Sequence, residues 1–390
     1  MAFRRLRRDW RELAAAFPSH RGLDFWLWAN RYGAFVRPEL CSVLAPFPPA
    51  NYLVAGSSDM SERQFANSGC DYYEQMERAL NEIGRSWWDM HSVLDFGCGA
   101  GRVLRLFTCH RNHMRIHGAD VNTPVVDWLG ANLDFGKFHV GFSKPPTPFH
   151  EATFDAIFSI SVFTHLTAVS QGSWLREFHR LLKPNGILFQ TVHGQHAMTL
   201  CERHESWRNA INVAPETFAA LQKGLREDGF AWGPTKWATN AGEDYGISFQ
   251  NEPYIRATWR LGYDLVGVWP GRIDDWQDLV ALRRRPGAAL AQGPQSGPDK
   301  VELVQLAGQG IVGQPLRFRA VATGGEDLHF RFVINDSGSY FRQLCDWAPC
   351  AEIAYTPWEP GTYDIIVHAD SGPGPHAVPA AGHGIKVTIK

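Results

Sequence analysis

Two carboxylates, Asp95 and Asp120, stand on either side of three closely spaced glycines, Gly97, Gly99 and Gly101. Acids and glycines in that order suit a cofactor that carries a nucleoside. The glycines let the backbone turn sharply and let a ligand approach the main chain. Asp120 stands 19 positions after Gly101, close to the ~20 expected between a glycine turn and an acid that accepts hydrogen bonds from both ribose hydroxyls. These residues need particular elements to hold them. Ser92 to Phe96 is apolar apart from Asp95, which suits a central parallel strand. Val103, Leu104 and Phe107 share one face of a predicted helix behind the glycines. A second strand, Arg115 to Ala119, ends at Asp120. Ligands of open α/β sheets sit at the carboxyl ends of the strands, where both acids fall.

The spacing discriminates between cofactors. A dinucleotide fingerprint requires glycine where Arg102 stands, and its pyrophosphate needs the helix N-terminus. S-adenosylmethionine (SAM) has no phosphate. It carries a sulfonium and an ammonium, which suit the acid Asp95 near the strand tip. The run Val93-Leu94-Asp95-Phe96-Gly97-Cys98-Gly99-Ala100-Gly101-Arg102 resembles motif I of class I SAM-dependent methyltransferases. Ala119-Asp120-Val121 resembles that family's ribose-binding segment. Residues Phe154 to Leu166 resemble its fourth strand and the turn beyond, and Leu181 to Leu188 its helix-to-fifth-strand junction. The resemblance implies an α/β, Rossmann-like fold of seven strands with the last antiparallel, SAM as cofactor, and methyl transfer as activity. It also implies cofactor contacts at Asp95, Gly97, Cys98, Gly99, Gly101, Arg102, Asp120, Val121 and Ser159.

A hydroxyl acceptor must lose its proton to a base at ~2.6–3.2 Å. His165 follows the fourth strand, His193 ends the fifth, and His196 lies just beyond. His165 and His193 are the candidate catalytic residues, because histidine titrates near neutrality; a hydrogen-bonded structural role is the competing account for each. Glu243 and Asp244 form an acidic pair, read as a solvated edge, so no metal is expected. Tyr245 and Tyr254 follow them. Trp232, Trp237 and Trp259 suit stacking on sugars or ordinary core packing. Asp275 and Asp278 flank the last hairpin as turn residues. No Asn/Asp-Pro-Pro-aromatic segment and no Pro-Cys nucleophile follows the fourth strand, which disfavours amino-directed DNA, protein-glutamine and cytosine-C5 methylation. Gly-Cys-Gly-x-Gly-Arg with an extended C-terminus resembles enzymes of bacterial glycan assembly, and so implies O-methylation of a saccharide. A small-molecule methyltransferase and a non-catalytic SAM-binding scaffold are the alternatives.

The 390 residues divide by punctuation. Residues 1–90 are a helical segment expected to cover the cofactor site. Ser61 and Gln64 form a capping box, and Tyr73, Met76, Leu80 and Ile83 make an apolar stripe. Residues 91–285 are the cofactor-binding domain, with a Trp-rich insertion at 194–262 and a closing hairpin from Asp264–Trp269 and Gln277–Leu282. Residues 286–299 are a Pro/Gly-rich linker. Residues 300–390 alternate apolar and polar with period two, which implies a small all-β sandwich. Tyr355 to Tyr363, with Trp358, resembles the closing strands of bacterial immunoglobulin-like modules, and implies contact with glycan or a glycosyltransferase. A stabilising or dimerising appendage is the alternative.

Net charge is −2 and the pI about 6.8, so no global field attracts nucleic acid. Seven scattered cysteines argue for a reducing, cytoplasmic location. Arg4, Arg5, Arg7, Arg8 and Arg11 precede Phe25, Trp26, Trp28, Tyr32 and Phe35. That pattern suits either a solvated helix packed on the catalytic domain or peripheral contact with the inner membrane.

Overall fold

A computed structural model describes residues 26–33, 35, 44–55, 58–141, 143–235, 245–260, 262–287, 298–325, 328–336, 340–357, 359–371 and 381–390. The arginine cluster, Phe25, Trp237, Glu243, Asp244, Trp358 and most of the linker lie outside the described residues.

Seven strands form the central sheet: β1 (Ser92–Phe96), β2 (Arg115–Asp120), β3 (Gly136–Val140), β4 (Phe154–Ser159), β5 (Leu182–Val192), β8 (Tyr263–Ile273) and β9 (Gln277–Arg284). Their order is β8-β9-β5-β4-β1-β2-β3. Strands β1 to β5 pair in parallel, while β9 enters antiparallel between β5 and β8. This is the mixed sheet of a Rossmann-like methyltransferase fold. All five residues of β1 are buried, as its apolar run requires.

One face of the sheet packs against α1 (Glu62–Glu82). Its stripe residues Tyr73, Met76 and Leu80 join Val93, Phe158 and Phe189 in one core. Trp87 sits fully buried there, its ring 4.9 Å from Phe107. α2 (Thr123–Asn132) adds Val126 and Leu129 to the same core. The opposite face packs against α3 (Ala168–Leu181) through Trp174 and Phe178. The capping box forms: Gln64 N donates to Ser61 Oγ at 3.2 Å, and Ser61 N to Gln64 Oε1 at 2.9 Å. Such a cap contributes about 1 kcal/mol. Gly69 of α1 meets the glycine turn so closely that a Cβ would stand 2.2 Å from the Arg102 carbonyl oxygen. Gly69→Ala is therefore expected to lower stability by ~1–3 kcal/mol, seen as a fall in thermal midpoint. An unchanged midpoint would mean α1 is not seated on that carbonyl.

The helix expected behind the glycines differs from its prediction. Leu104–His110 is 3-10, not α. Thr108 Oγ1 donates to the Arg105 carbonyl at 2.7 Å and Cys109 Sγ to that of Leu106 at 3.2 Å. These side-chain bonds reach back three residues and compete with the α pattern.

The insertion has its own small core, around Met198, Leu221, Leu225 and Phe249. It contains α4 (Gln195–Arg203), α5 (Glu205–Ala210), α6 (Pro215–Glu227), a hairpin of β6 (Phe230–Gly233) and β7 (Ile247–Gln250), and α7 (Glu252–Thr258).

The C-terminal region is all-β. One sheet joins β10 (Lys300–Ala307), β11 (Leu316–Thr323) and β14 (Glu352–Tyr355). The other joins β12 (Leu328–Asp336), β13 (Tyr340–Ala348), β15 (Gly361–Ser371) and β16 (Ala381–Ile389). Phe318, Phe332, Ile365 and Val367 fill the space between them. Arg331 points away from that core yet is fully buried. Its guanidinium donates to the carbonyls of Lys144, at 2.6 Å, and Pro146, tying the sandwich to the first domain. The described cysteines Cys70, Cys98, Cys109, Cys201 and Cys350 are free thiols. Among the described residues no helix is long and apolar enough to cross a membrane.

Candidate functional site: the carboxyl edge of the sheet

The turn after β1 is built by three glycines with positive φ, +79° at Gly97, +49° at Gly99 and +79° at Gly101. A Cβ on Gly97 would stand 2.4 Å from Val162 Cγ2, whereas one on Gly99 would meet nothing within 4 Å. Gly99 thus leaves the main chain open to a ligand. The Ala119 carbonyl accepts from Gly97 N at 2.7 Å and Cys98 N at 3.1 Å, fixing the turn to β2. Asp120 completes the cradle. Its Oδ2 accepts from Gly99 N at 2.8 Å and its Oδ1 from Asn122 N at 2.9 Å.

Asp95 is 3% exposed and has no hydrogen-bond partner among the described residues. Burial raises its carboxyl well above the ordinary range, and the charge of Asp120 raises it further, against a lowering by Arg102. Asp120 is also raised by burial, with the amides of Asn122, Gly99 and Val121 opposing. Two crowded carboxyls of this kind suit a cationic ligand group.

The other sequence candidates fall around this cradle. Arg102 stacks 4.8 Å above the Tyr72 ring. Cys98 is buried in the core, and Val121 is 49% exposed. Ser159 ends β4 with its hydroxyl buried and unpartnered among the described residues. Ser161 follows with φ +59°, held by Thr191 Oγ1, which accepts from its amide, and by Gln277 Nε2, which donates to its hydroxyl.

His165 and His193 are held alike. Each presents Nδ1 to a backbone carbonyl, Gly246 at 2.8 Å and Ser248 at 3.1 Å. A carbonyl only accepts, so Nδ1 carries the hydrogen and Nε2 the lone pair. Burial pushes His165 down to about 4. Burial, with the nearby His165, pushes His193 down to about 3. His196 lies at the exposed hairpin and meets Asp275 at 2.9 Å.

Tyr245, which the sequence offered among the insertion's residues, is joined at this edge by others that were not legible as site residues. Tyr245 stacks on His165 at 4.4 Å. Its hydroxyl is pushed up to about 12 by burial and by the charge of Asp120. Asp278, read as a turn residue, is buried. Its Oδ1 accepts from Gly271 N at 2.9 Å, and its Oδ2 lies so close to Gly194 that a Cβ there would stand 1.8 Å away. Burial raises it to about 6 despite the Gly271 amide and the nearby His196. Gln190 and Gln250 are buried with both side-chain polar atoms unpartnered among the described residues, as is Gln277 Oε1. Glutamine inside an otherwise apolar strand such as β5 was the available signal.

Residues 94–190 match the family model described as "Methyltransferase domain". This region is a methyltransferase domain. The cradle fits SAM, the cofactor that the resemblance of these segments implies: Asp120 presents acceptors that suit ribose hydroxyls, the carboxyl of Asp95 is one that a cationic ligand end would ionise, and Gly99 leaves the main chain open. The chain is 28% identical over 153 residues to an uncharacterized protein of Haemophilus influenzae, covering 35% of this chain and 57% of that protein. It is 33% identical over 96 residues to demethylmenaquinone methyltransferase of Thermotoga maritima, covering 25% of this chain and 41% of that enzyme. The chain thus spans about half the length of the curated relatives it matches. The solved PH0226 protein of Pyrococcus horikoshii is similar with a TM-score of 0.38 and 14% identity, covering 55% of this chain and 91% of that one.

Proposed function

We propose that the protein O-methylates a hydroxyl of a saccharide. The observation that supports this most is the set of polar groups at the carboxyl edge without a partner among the described residues: Ser159 Oγ, the Gln190 and Gln250 amides, and Gln277 Oε1. Ser159 and Gln190 are partners in the β4–β5 register. Buried polar groups are almost always hydrogen-bonded in folded proteins. A polyol supplies hydroxyls that both donate and accept, which matches amide and hydroxyl partners.

Bound SAM supplies an electrophilic methyl on a sulfonium. On this reading Asp120 holds the ribose and Asp95 faces the cationic end, with Gly97, Gly99, Gly101 and Val121 shaping the cradle. His193 Nε2 accepts from the acceptor hydroxyl and orients it, and His165 buttresses Tyr245 above. A group held near 3 or 4 is too weak a base to complete the proton transfer at neutral pH. Asp278, raised to about 6 beside the residue that follows His193, is better matched to it. The N-terminal segment, through α1 seated on the glycine turn, covers the cofactor. The C-terminal sandwich is read as an immunoglobulin-like module that contacts glycan.

The test is transfer of labelled methyl from SAM into fractionated bacterial extract, with Asp120→Ala protein as blank. Label is expected in polysaccharide or glycolipid. Label confined to low-molecular-weight material overturns the saccharide assignment. Gln190→Leu sharpens the test. Removing a buried unpaired amide should leave stability unchanged or raise it by about 1 kcal/mol. Incorporation into the saccharide fraction should nevertheless fall at least ~10-fold, the equivalent of ~1.4 kcal/mol, with SAM affinity unaltered.

A further inference from the structure

A cleft of about 1150 Å³ opens between the two domains, at the amino ends of β2 and β3, away from the cofactor cradle. Ligand sites commonly lie between domains and occupy ~300–1,000 Å³, so the space admits a sizeable guest. Four cations line it: Arg115, Lys137 and Arg180 from the methyltransferase domain and Lys386 from β16. Arg180 is already held by Glu177 at 2.6 Å; of the two lining carboxylates, Asp134 meets Arg111 at 3.9 Å, and Asp364 reaches Lys386 at 4.0 Å, the long limit of an ion pair, from an exposed lysine that can turn to a guest. The cationic field is also felt by the cleft's histidines. Burial, with Lys137 and Arg115 adding to it, pushes His117 down to about 4. His368, likewise buried, is lowered by Arg331 and Arg180.

Two histidines from the sandwich add neutral donors. The Leu303 amide donates to His383 Nδ1 at 3.0 Å, and Arg331 lies 3.5 Å from His368 Nδ1. Both partners can only donate, so in each ring Nδ1 accepts and Nε2 carries the hydrogen. The result is a slot with cations at its rim, N–H donors on one wall, and Phe149 and Ile366 for apolar contact.

We propose that this interdomain cleft binds an anionic sugar, one bearing carboxylate or phosphate groups, with Arg115 and Lys386 as principal anion contacts. The site spans both domains and stands independently of which acceptor is methylated. The experiment is calorimetric titration of the full chain with tetragalacturonate in one arm and glucose 6-phosphate in the other, repeated with the Arg115→Glu, Lys386→Glu double variant. SAM titration of the same samples reports the fold. At least one probe should bind the parent protein, weaken with added salt as exposed charge contacts do, and lose ten-fold or more in affinity in the double variant while SAM binding persists. The arm that binds identifies the anion as carboxylate or phosphate. Binding of neither probe, or binding indifferent to the charge reversal, overturns the proposal. If the double variant loses SAM binding too, single Lys386→Ala, on an exposed side chain, must still weaken the probe for the proposal to stand.

Discussion

Asp120→Ala should abolish useful SAM binding and destabilise the protein at once. The carboxylate accepts from Gly99 N and Asn122 N, so alanine leaves two amides without their acceptor, at ~1–3 kcal/mol each where water cannot substitute. It also removes the acceptors proposed for the ribose hydroxyls, and hydrogen bonds to charged groups are worth about 1.5–3 kcal/mol. One effect runs the other way. Loss of the Asp120 charge lowers the neighbouring Asp95 toward its ionised form, which favours a cationic ligand end. Two lost charged hydrogen bonds outweigh that partial relief, and the net weakening should reach at least ~100-fold, or ~2.7 kcal/mol. Asp120→Asn keeps an acceptor for one amide and should recover part of the stability but little of the affinity. Calorimetry with SAM and thermal denaturation separate the two effects. Unchanged SAM affinity in the alanine variant would remove Asp120 from the cofactor site.

The parts of the molecule that were legible in the sequence are those written in contiguous residues. The glycine turn, the β1 run and the β5 junction each fit within a dozen positions, and their local pattern fixes a strand or a turn by periodicity and sterics. The capping box of α1 is equally local, and it forms. What remained hidden depends on neighbours far along the chain. Asp278 reads as a turn residue until Gly194 and Gly271 close around it. Arg331 alternates with Phe330 and Phe332 and so reads as a solvated strand position. It does face outward from the sandwich core, but its outer side is covered by the methyltransferase domain. Tyr245 gained its place from a hairpin that pairs across the insertion and from stacking on His165. Period-two and 3.6-residue patterns state which face of an element is apolar; they do not say which second surface will bury the polar face.

Asp278→Asn sets stability against activity. A carboxyl whose folded pKa is raised holds its proton more tightly in the folded state. Its favourable contribution is present below the unfolded value of about 4 and is lost as pH rises through the folded value of about 6. Above neutrality the ionised Asp278 therefore works against the fold. Asparagine keeps an oxygen for the Gly271 amide and removes the buried charge, so it should raise stability at pH 8 by about 1–3 kcal/mol, at ~1.4 kcal/mol per pKa unit, with no gain near pH 4. If the same carboxylate accepts the acceptor proton, the variant should also lose ~10²–10⁴-fold in methyl transfer, and the rise of the parent's rate through pH 6 should disappear. Stability curves and rates measured on one pair of proteins distinguish the possibilities. A stabilised variant with parental rate would mean that Asp278 only braces the β8–β9 hairpin. A slower variant with no gain at pH 8 would mean that its carboxylate is compensated in the folded state by a partner such as His196, and that the charge is not a strained one held for catalysis.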